Sequence, residues 1–142
     1  MSTGHMTQAE RQAFLADVHV GVLAVEEPGR GPLALPIWYS VSDGDVLISM
    51  DGSSLKARLL RSAGRATMTV QNEAPPYQYV SVEGSIAFEP DDGNGLALAT
   101  RYIGPEFAKL YNDANPPTDD TVIVRLRPEH WRTFDFNKVL AG

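Results

Sequence analysis

The chain has 142 residues and a net charge of −6, from 12 basic and 18 acidic side chains. This length fits one domain with a real core, and the acidic balance disfavours nucleic acid as a partner. The absence of cysteine excludes disulfides and thiolate sites. Because no apolar run reaches the roughly 18 residues of a membrane span and no signal-peptide core is present, we expect a cytoplasmic protein without membrane association.

The first half of the chain predicts a helix, three strands and a second helix. Thr7 and Glu10 form a capping-box pattern that begins the first helix, and Asp43-Gly44 is a hairpin signal. Pro36 predicts an edge, a bulge or an opening in its strand, because proline donates no ladder hydrogen bond. In chain order these elements are a helix at 7–17, strands at 20–25, 33–41 and 46–50, and a helix at 53–62.

The second half predicts four strands and two short helices. Gly84 lies inside the longest strand and predicts a bend or bulge there. Pro105 opens the second helix, and residues 127–130 have the composition of a turn. The elements are strands at 66–71 and 77–89, helices at 96–103 and 105–112, and strands at 121–126 and 131–136. This pattern predicts a small antiparallel barrel over residues 7–142, preceded by a tail at residues 1–6.

Two serines and two cations lie at the start of the 53–62 helix. Ser53 and Ser54 supply hydroxyl groups, and Lys56 and Arg58 supply charged donors one turn further on. The first N–H groups of a helix lack partners and favour an anion. The segment therefore predicts a site for a phosphate or carboxylate group. The alternative is an ordinary serine N-cap followed by a solvated helix face.

An ordered set of short segments extends over nearly the whole chain. The segments are Pro36-Ile37-Trp38-Tyr39, Asp43-Gly44, Ser54-Leu55-Lys56-Ala57-Arg58, Gly64-Arg65-Ala66-Thr67, Tyr79-Val80-Ser81-Val82-Glu83-Gly84 and Arg127-Pro128-Glu129-His130-Trp131. In order and spacing the set resembles the flavin and deazaflavin split-barrel family, which includes pyridoxamine 5'-phosphate oxidases and oxidoreductases that use coenzyme F-420. The resemblance implies a mainly β, six-stranded antiparallel Greek-key split barrel. It also implies a homodimer with two cofactor sites at the subunit interface.

The resemblance also implies where the cofactor binds. Ser54 and Lys56 match the family's phosphate-binding segment, whereas Leu55 stands where an arginine is usual for flavin mononucleotide (FMN), and Arg58 is a substitute cation. This departure favours the deazaflavin coenzyme F-420 over FMN. The ring would lie against two strands, and Tyr77, Tyr79 or Trp131 would close the site from either subunit; packing is the alternative role for these aromatic residues. The predicted cofactor-binding residues are Pro36, Ile37, Trp38, Ser49, Met50, Ser53, Ser54, Lys56, Arg58 and Tyr79.

The function we infer from the sequence is hydride transfer between coenzyme F-420 and an unsaturated or oxidised small molecule. One alternative is an FMN-binding oxidase or reductase similar to pyridoxamine 5'-phosphate oxidase, and another is a non-catalytic cofactor- or haem-binding split barrel. No catalytic residue is predicted, because a reduced cofactor itself carries the hydride. Tyr79, His130 and solvent are candidate proton donors. The histidines are widely separated in the sequence, so we predict no metal site.

Overall fold

The computed structural model describes residues 3–141, which form one antiparallel sheet with helices packed around it. The helices are α1 (Gln8–Ala16), α2 (Leu55–Ala63), α3 (Gly95–Ala114) and α4 (Phe136–Ala141). The strands are β1 (Gly21–Val25), β2 (Leu33–Ile37), β3 (Ser40–Ser42), β4 (Asp45–Asp51), β5 (Arg65–Gln71), β6 (Gln78–Pro90) and β7 (Thr121–Asp135). No helix in this part of the chain is long and apolar enough to cross a membrane.

The two edge strands of the sheet are neighbours in the chain. The strand order is β2-β1-β5-β6-β7-β4-β3, yet only Trp38 and Tyr39 separate the end of β2 from the start of β3. Three residue steps reach at most about 11 Å, so the sheet must curl until its two edges come close together. The result is a barrel that stays open along one seam, which we call the split. The chain crosses the split at Trp38 and Tyr39.

The prediction of a mainly β split barrel is confirmed, with seven strands in the sheet where six were expected. The predicted strand at 33–41 is two strands, β2 and β3, because the chain crosses the split inside it. The predicted turn at 127–130 is wrong, since β7 continues through it. Gly84 pairs with Pro128 while Glu83 pairs with His130, which leaves one extra residue on β7. This register shift is the irregularity predicted at Gly84, and it accommodates a proline that donates no ladder hydrogen bond.

Local signals place most helix ends. Thr7 Oγ1 accepts from the Glu10 N–H at 3.2 Å and Glu10 Oε1 accepts from the Thr7 N–H at 2.8 Å, which confirms the capping box. Gly64, with a φ of 69°, ends α2 as predicted. The two predicted helices at 96–103 and 105–112 meet at a kink inside α3, where Gly104 has a φ of 79°. Helix α4 was not predicted, because the last strand was expected to run to Phe136.

The core lies inside the barrel and extends to the side of the split where α1 lies. Tyr39 is fully buried, and its hydroxyl donates to the Leu15 carbonyl at 2.6 Å. Two residues of the predicted tail also contact the barrel. Met6 is buried, and the Gly4 carbonyl accepts from the Asp135 N–H at 2.7 Å. Residues 4 and 6 therefore pack against the end of β7.

Candidate cofactor site

A cavity of about 790 Å³ opens beside the split. It is lined by the end of β2 with Trp38, by the second half of β4, by Lys56 of α2, and by both ends of α3 with the loop that follows it. Ligand cavities commonly have volumes of 300–1,000 Å³. The size and position of this cavity make it the candidate site of the molecule.

One wall of the cavity is apolar and partly aromatic. The Trp38 ring lies parallel to the Tyr102 ring, with centroids 5.2 Å apart, and tilted against the Tyr111 ring at 5.3 Å. Tyr111 lines the cavity together with Pro36 and Ile37. A flat ring gains most from such a wall, because aromatic pairs favour offset-stacked or tilted contacts.

The hydroxyl groups at the start of α2 already have partners within the chain. Ser54 is the N-cap: its Oγ accepts from the Ala57 N–H at 3.2 Å and donates to the Asp51 carbonyl at 2.7 Å. The backbone N–H and the Oγ of Ser53 both donate to Asp51 Oδ1 at 2.9 Å. Ser54 therefore has the capping role that the sequence left open as an alternative.

Lys56 and Arg58 differ in position although both lie on α2. Lys56 is half-buried and lines the cavity, whereas Arg58 is exposed and lies outside the lining. Asp51 and Asp91 also line the cavity. The Ser53 backbone N–H lowers the pKa of Asp51, so that carboxylate stays ionised at neutral pH. An anionic group in this cavity therefore gains most beside Lys56 and away from the two carboxylates.

The start of α3 adds backbone donors to the lining of the cavity. Gly95 and Leu96 line the cavity, and the N-cap Asn94 makes no side-chain capping bond. The first N–H groups of a helix have no partner within the helix and attract negative charge. Lys56 and the α3 N-terminus are thus two positive features of one cavity.

The structure brings six of the ten predicted residues together. Pro36, Ile37, Trp38, Ser49, Met50 and Lys56 line the cavity, whereas Ser53, Ser54, Arg58 and Tyr79 do not. Tyr79 lies at a smaller cavity with Trp131. His130 is exposed and lines neither cavity. In one chain, therefore, neither protein candidate for a proton donor reaches the main site.

Sequence reasoning missed the contribution of α3 and the loop after it. Tyr111, Asn112, Asn115 and Thr118 line the cavity, although residues 113–120 have the composition of a solvated loop. The two consecutive prolines at 116 and 117 were the available signal, because they restrict the backbone of a loop that must keep one shape.

No protein-family model matches the chain, and no curated protein matches it. Solved structures do match. A conserved hypothetical protein from Mycobacterium tuberculosis superposes with a TM-score of 0.78 and 24% identity, over 98% of this chain and 91% of that one. A protein described as an F420 reductase superposes with a TM-score of 0.69 and 26% identity, over 85% of this chain and 94% of that one. An FAD-binding protein from Mesorhizobium loti gives a TM-score of 0.66 and 22% identity, over 90% and 94%.

The chain has the split-barrel fold. Its structural neighbours are split-barrel proteins similar to pyridoxamine 5'-phosphate oxidase, and they include a putative oxidase of that name from Listeria innocua. A haem-binding protein from Mycobacterium smegmatis also has this fold. The split barrel therefore occurs in proteins whose descriptions name different cofactors. The fold alone does not indicate which cofactor this chain binds, so the residues of its cavity must do so.

Proposed function

We propose that this split barrel is an oxidoreductase that binds coenzyme F-420 and supports hydride transfer to an unsaturated or oxidised small molecule. The observation that carries the proposal is that one 790 Å³ cavity combines the Trp38–Tyr111 wall with Lys56. The residues present fit a flat ring joined to an anionic tail, since the apolar wall suits the ring and Lys56 with the α3 N-terminus suits the tail.

The bound deazaflavin supplies the hydride chemistry, and the chain supplies binding and orientation. Trp38 and Met50 form an apolar surface that excludes water from one side of the cavity, and Lys56 orients the anionic end. Leu55 is 45% exposed beside Lys56 and offers no charge. A single lysine combined with helix N–H groups suits negative charge that is spread along a tail, as in F-420. A compact phosphate group, as in FMN, is better held by a cluster of arginines, and the cavity has no such cluster among the described residues.

We further propose that the site is completed in a homodimer. Val20 and Val22 are 53% and 43% exposed on or beside β1, and the exposed Pro36 of β2 lies opposite Val22 on the same face of the sheet. Val20 also lines the cavity, so this apolar strip is continuous with the site. Burying the strip against a second copy would remove apolar area from water and cover the mouth of the cavity.

The cofactor is tested by titrating the purified protein with F-420, FMN and haem in separate experiments. We expect F-420 to bind at least tenfold more tightly than FMN or haem. The Lys56→Gln substitution should weaken F-420 binding about 10-fold to 100-fold, because it removes a charge-assisted hydrogen bond worth about 1.5–3 kcal/mol. Arg58→Gln should have a smaller effect, and Arg30→Gln, on an exposed turn, is the control.

FMN is the second candidate, because a neighbour of similar coverage is described as binding another flavin, FAD. Tighter binding of FMN than of F-420 would replace the leading proposal with this one. If a cofactor binds but is neither reduced nor reoxidised by any acceptor, the protein would be a non-catalytic cofactor carrier. The dimer is tested with Val22→Glu, which should give a monomer by light scattering and weaken cofactor binding. A variant that stays dimeric and binds normally would contradict the proposed interface.

A further inference from the structure

A second cavity, of about 420 Å³, lies at the open edge of β7. Strand β4 pairs with β7 only as far as Leu126, so β6 is the one strand that pairs with the later part of β7 among the described residues. Residues of α1, of the N-terminal segment and of this part of β7 line the cavity, which we call the β7-edge pocket. It shares no lining residue with the 790 Å³ cavity.

The β7-edge pocket is basic in an acidic protein. Arg11, Arg132 and His5 line it, and none of its lining residues in the described part of the chain is an aspartate or glutamate. Neither arginine belongs to an ion pair among the described residues. Because the chain as a whole carries a net charge of −6, two guanidinium groups without a carboxylate are a local departure that an anionic ligand would balance.

Glu10 is the acidic neighbour of Arg11 on α1, and it is already engaged elsewhere. Its carboxylate accepts from Lys138 Nζ at 2.6 Å and from the Thr7 backbone N–H at 2.8 Å. These two bonds hold the Glu10 carboxylate between the start of α1 and Lys138 of α4. Arg11 is therefore left without its adjacent counter-ion.

An aromatic ring holds Arg11 in place. The Arg11 guanidinium carbon lies 4.5 Å from the centroid of the Trp131 ring, and Trp131 packs against the core. The Nε of Arg11 is buried and has no hydrogen-bond partner within residues 3–141. A buried donor without an acceptor is unfavourable, and a nearby anion would offset part of this cost electrostatically. The Arg11 guanidinium is thus held in place before a ligand binds, and it has no carboxylate partner among the described residues.

We propose that the β7-edge pocket binds the phosphate or carboxylate group of a small ligand. Arg11 and Arg132 supply the charge, and Thr133 supplies a neutral donor. The Thr133 Oγ1 accepts from the Met6 N–H at 2.9 Å, so its own proton is free to be donated to a ligand. Tyr79 also lines the pocket, 40% exposed and stacked against Phe134. The strand register places Tyr79 and Arg132 on one face of the sheet and Trp131 and Thr133 on the other, so the pocket extends around the edge of β7.

The test is a titration of the full chain, without cofactor, with inorganic phosphate at constant ionic strength. It is followed by the NMR signal of the Arg11 Nε–H, which is assigned by its loss in Arg11→Lys. We expect a saturable shift, a dissociation constant at least tenfold weaker in Arg132→Gln, and a change of less than twofold in Arg30→Gln. A shift that chloride reproduces, or equal affinity in Arg132→Gln and the unmodified protein, would overturn the proposal.

A second arm identifies the source of the anion. Repeating the titration with saturating F-420 or FMN leaves phosphate affinity unchanged if the pocket serves a separate ligand. Displacement of phosphate by the cofactor would assign the pocket to the cofactor's own anionic group, reached across a subunit interface. Because the first titration contains no cofactor, its outcome is independent of whether the chain binds F-420.

Discussion

Tyr102 of α3 holds Trp38 at the point where the chain crosses the split. The two rings are 5.2 Å apart and within 5° of parallel. The Tyr102 hydroxyl accepts from the Tyr39 N–H at 3.1 Å and lies 2.7 Å from the His19 carbonyl oxygen. These contacts replace the sheet hydrogen bonds that the split lacks. One side chain therefore supports both the seam of the barrel and the aromatic wall of the cavity.

Tyr102→Phe should keep the stacking and lose the hydrogen bonds. We expect the free energy of unfolding to fall by about 1–2 kcal/mol, because a part-buried N–H group and a carbonyl lose their partner. Urea denaturation measures the difference. Tyr77→Phe is the matched control, since Tyr77 is 54% exposed. Equal losses in the two variants would show that the Tyr102 hydroxyl does not support the split.

Tyr39→Phe should also destabilise the fold. The Tyr39 ring is fully buried, and its hydroxyl is the donor to the Leu15 carbonyl at 2.6 Å. Removing that donor leaves a carbonyl without a partner and should cost about 1–3 kcal/mol by urea denaturation. Burial raises the pKa of Tyr39 above its ordinary value, so the hydroxyl keeps its proton throughout the neutral range. A loss below about 0.5 kcal/mol would mean that water replaces the bond.

Gly84→Ala should be among the most destabilising single substitutions in the barrel. A Cβ at this position would collide with the Arg127 backbone carbonyl across the bulge. Because backbone cannot move aside as a flexible side chain does, we expect a loss of about 3 kcal/mol or more, or failure to fold. Gly31→Ala is the control, since nothing lies within 4 Å of its Cβ. Comparable stability of the two variants in urea would contradict the close approach.

The contact between Glu10 and Lys138 predicts a dependence of stability on acid pH. Hydrogen bonding to Lys138, and then to Thr7, lowers the pKa of Glu10 from 4.5 to about 2. A depressed carboxyl pKa contributes stability above the unfolded value, and the contribution is lost as pH falls from about 4.5 towards 2. The midpoint temperature of thermal denaturation should therefore be lower for Glu10→Gln than for the unmodified protein at pH 6. The two midpoint temperatures should converge near pH 2. Glu26→Gln, an exposed residue, controls for net charge.

Elements defined by a few neighbouring residues were predicted correctly. The capping box at Thr7 and the αL glycine at Gly64 depend on contacts within one or two helical turns, and the hairpin at Asp43-Gly44 uses two residues with positive φ. Gly84 marked its irregularity because a residue without a Cβ tolerates the close approach of a neighbouring strand. The start of α2 was also predicted correctly as a capped helix, because a cap depends on contacts within one helical turn, although its sequence left anion binding open as well.

The sequence by itself determined the main strands and a small antiparallel barrel, because alternation and turn chemistry are local properties. Its resemblance to the split-barrel family implied the split-barrel class and the residues of β2 and β4 that line the cavity. Only the tertiary structure decided that β2 and β3 lie on opposite sides of the split, that Lys56 reaches the cavity and Arg58 does not, and that both ends of α3 line the cavity. Tyr39 and Tyr102 are 63 residues apart, and their contact exists only after the sheet has curled. Such contacts depend on the summed geometry of many strand pairings, which no short stretch of sequence contains.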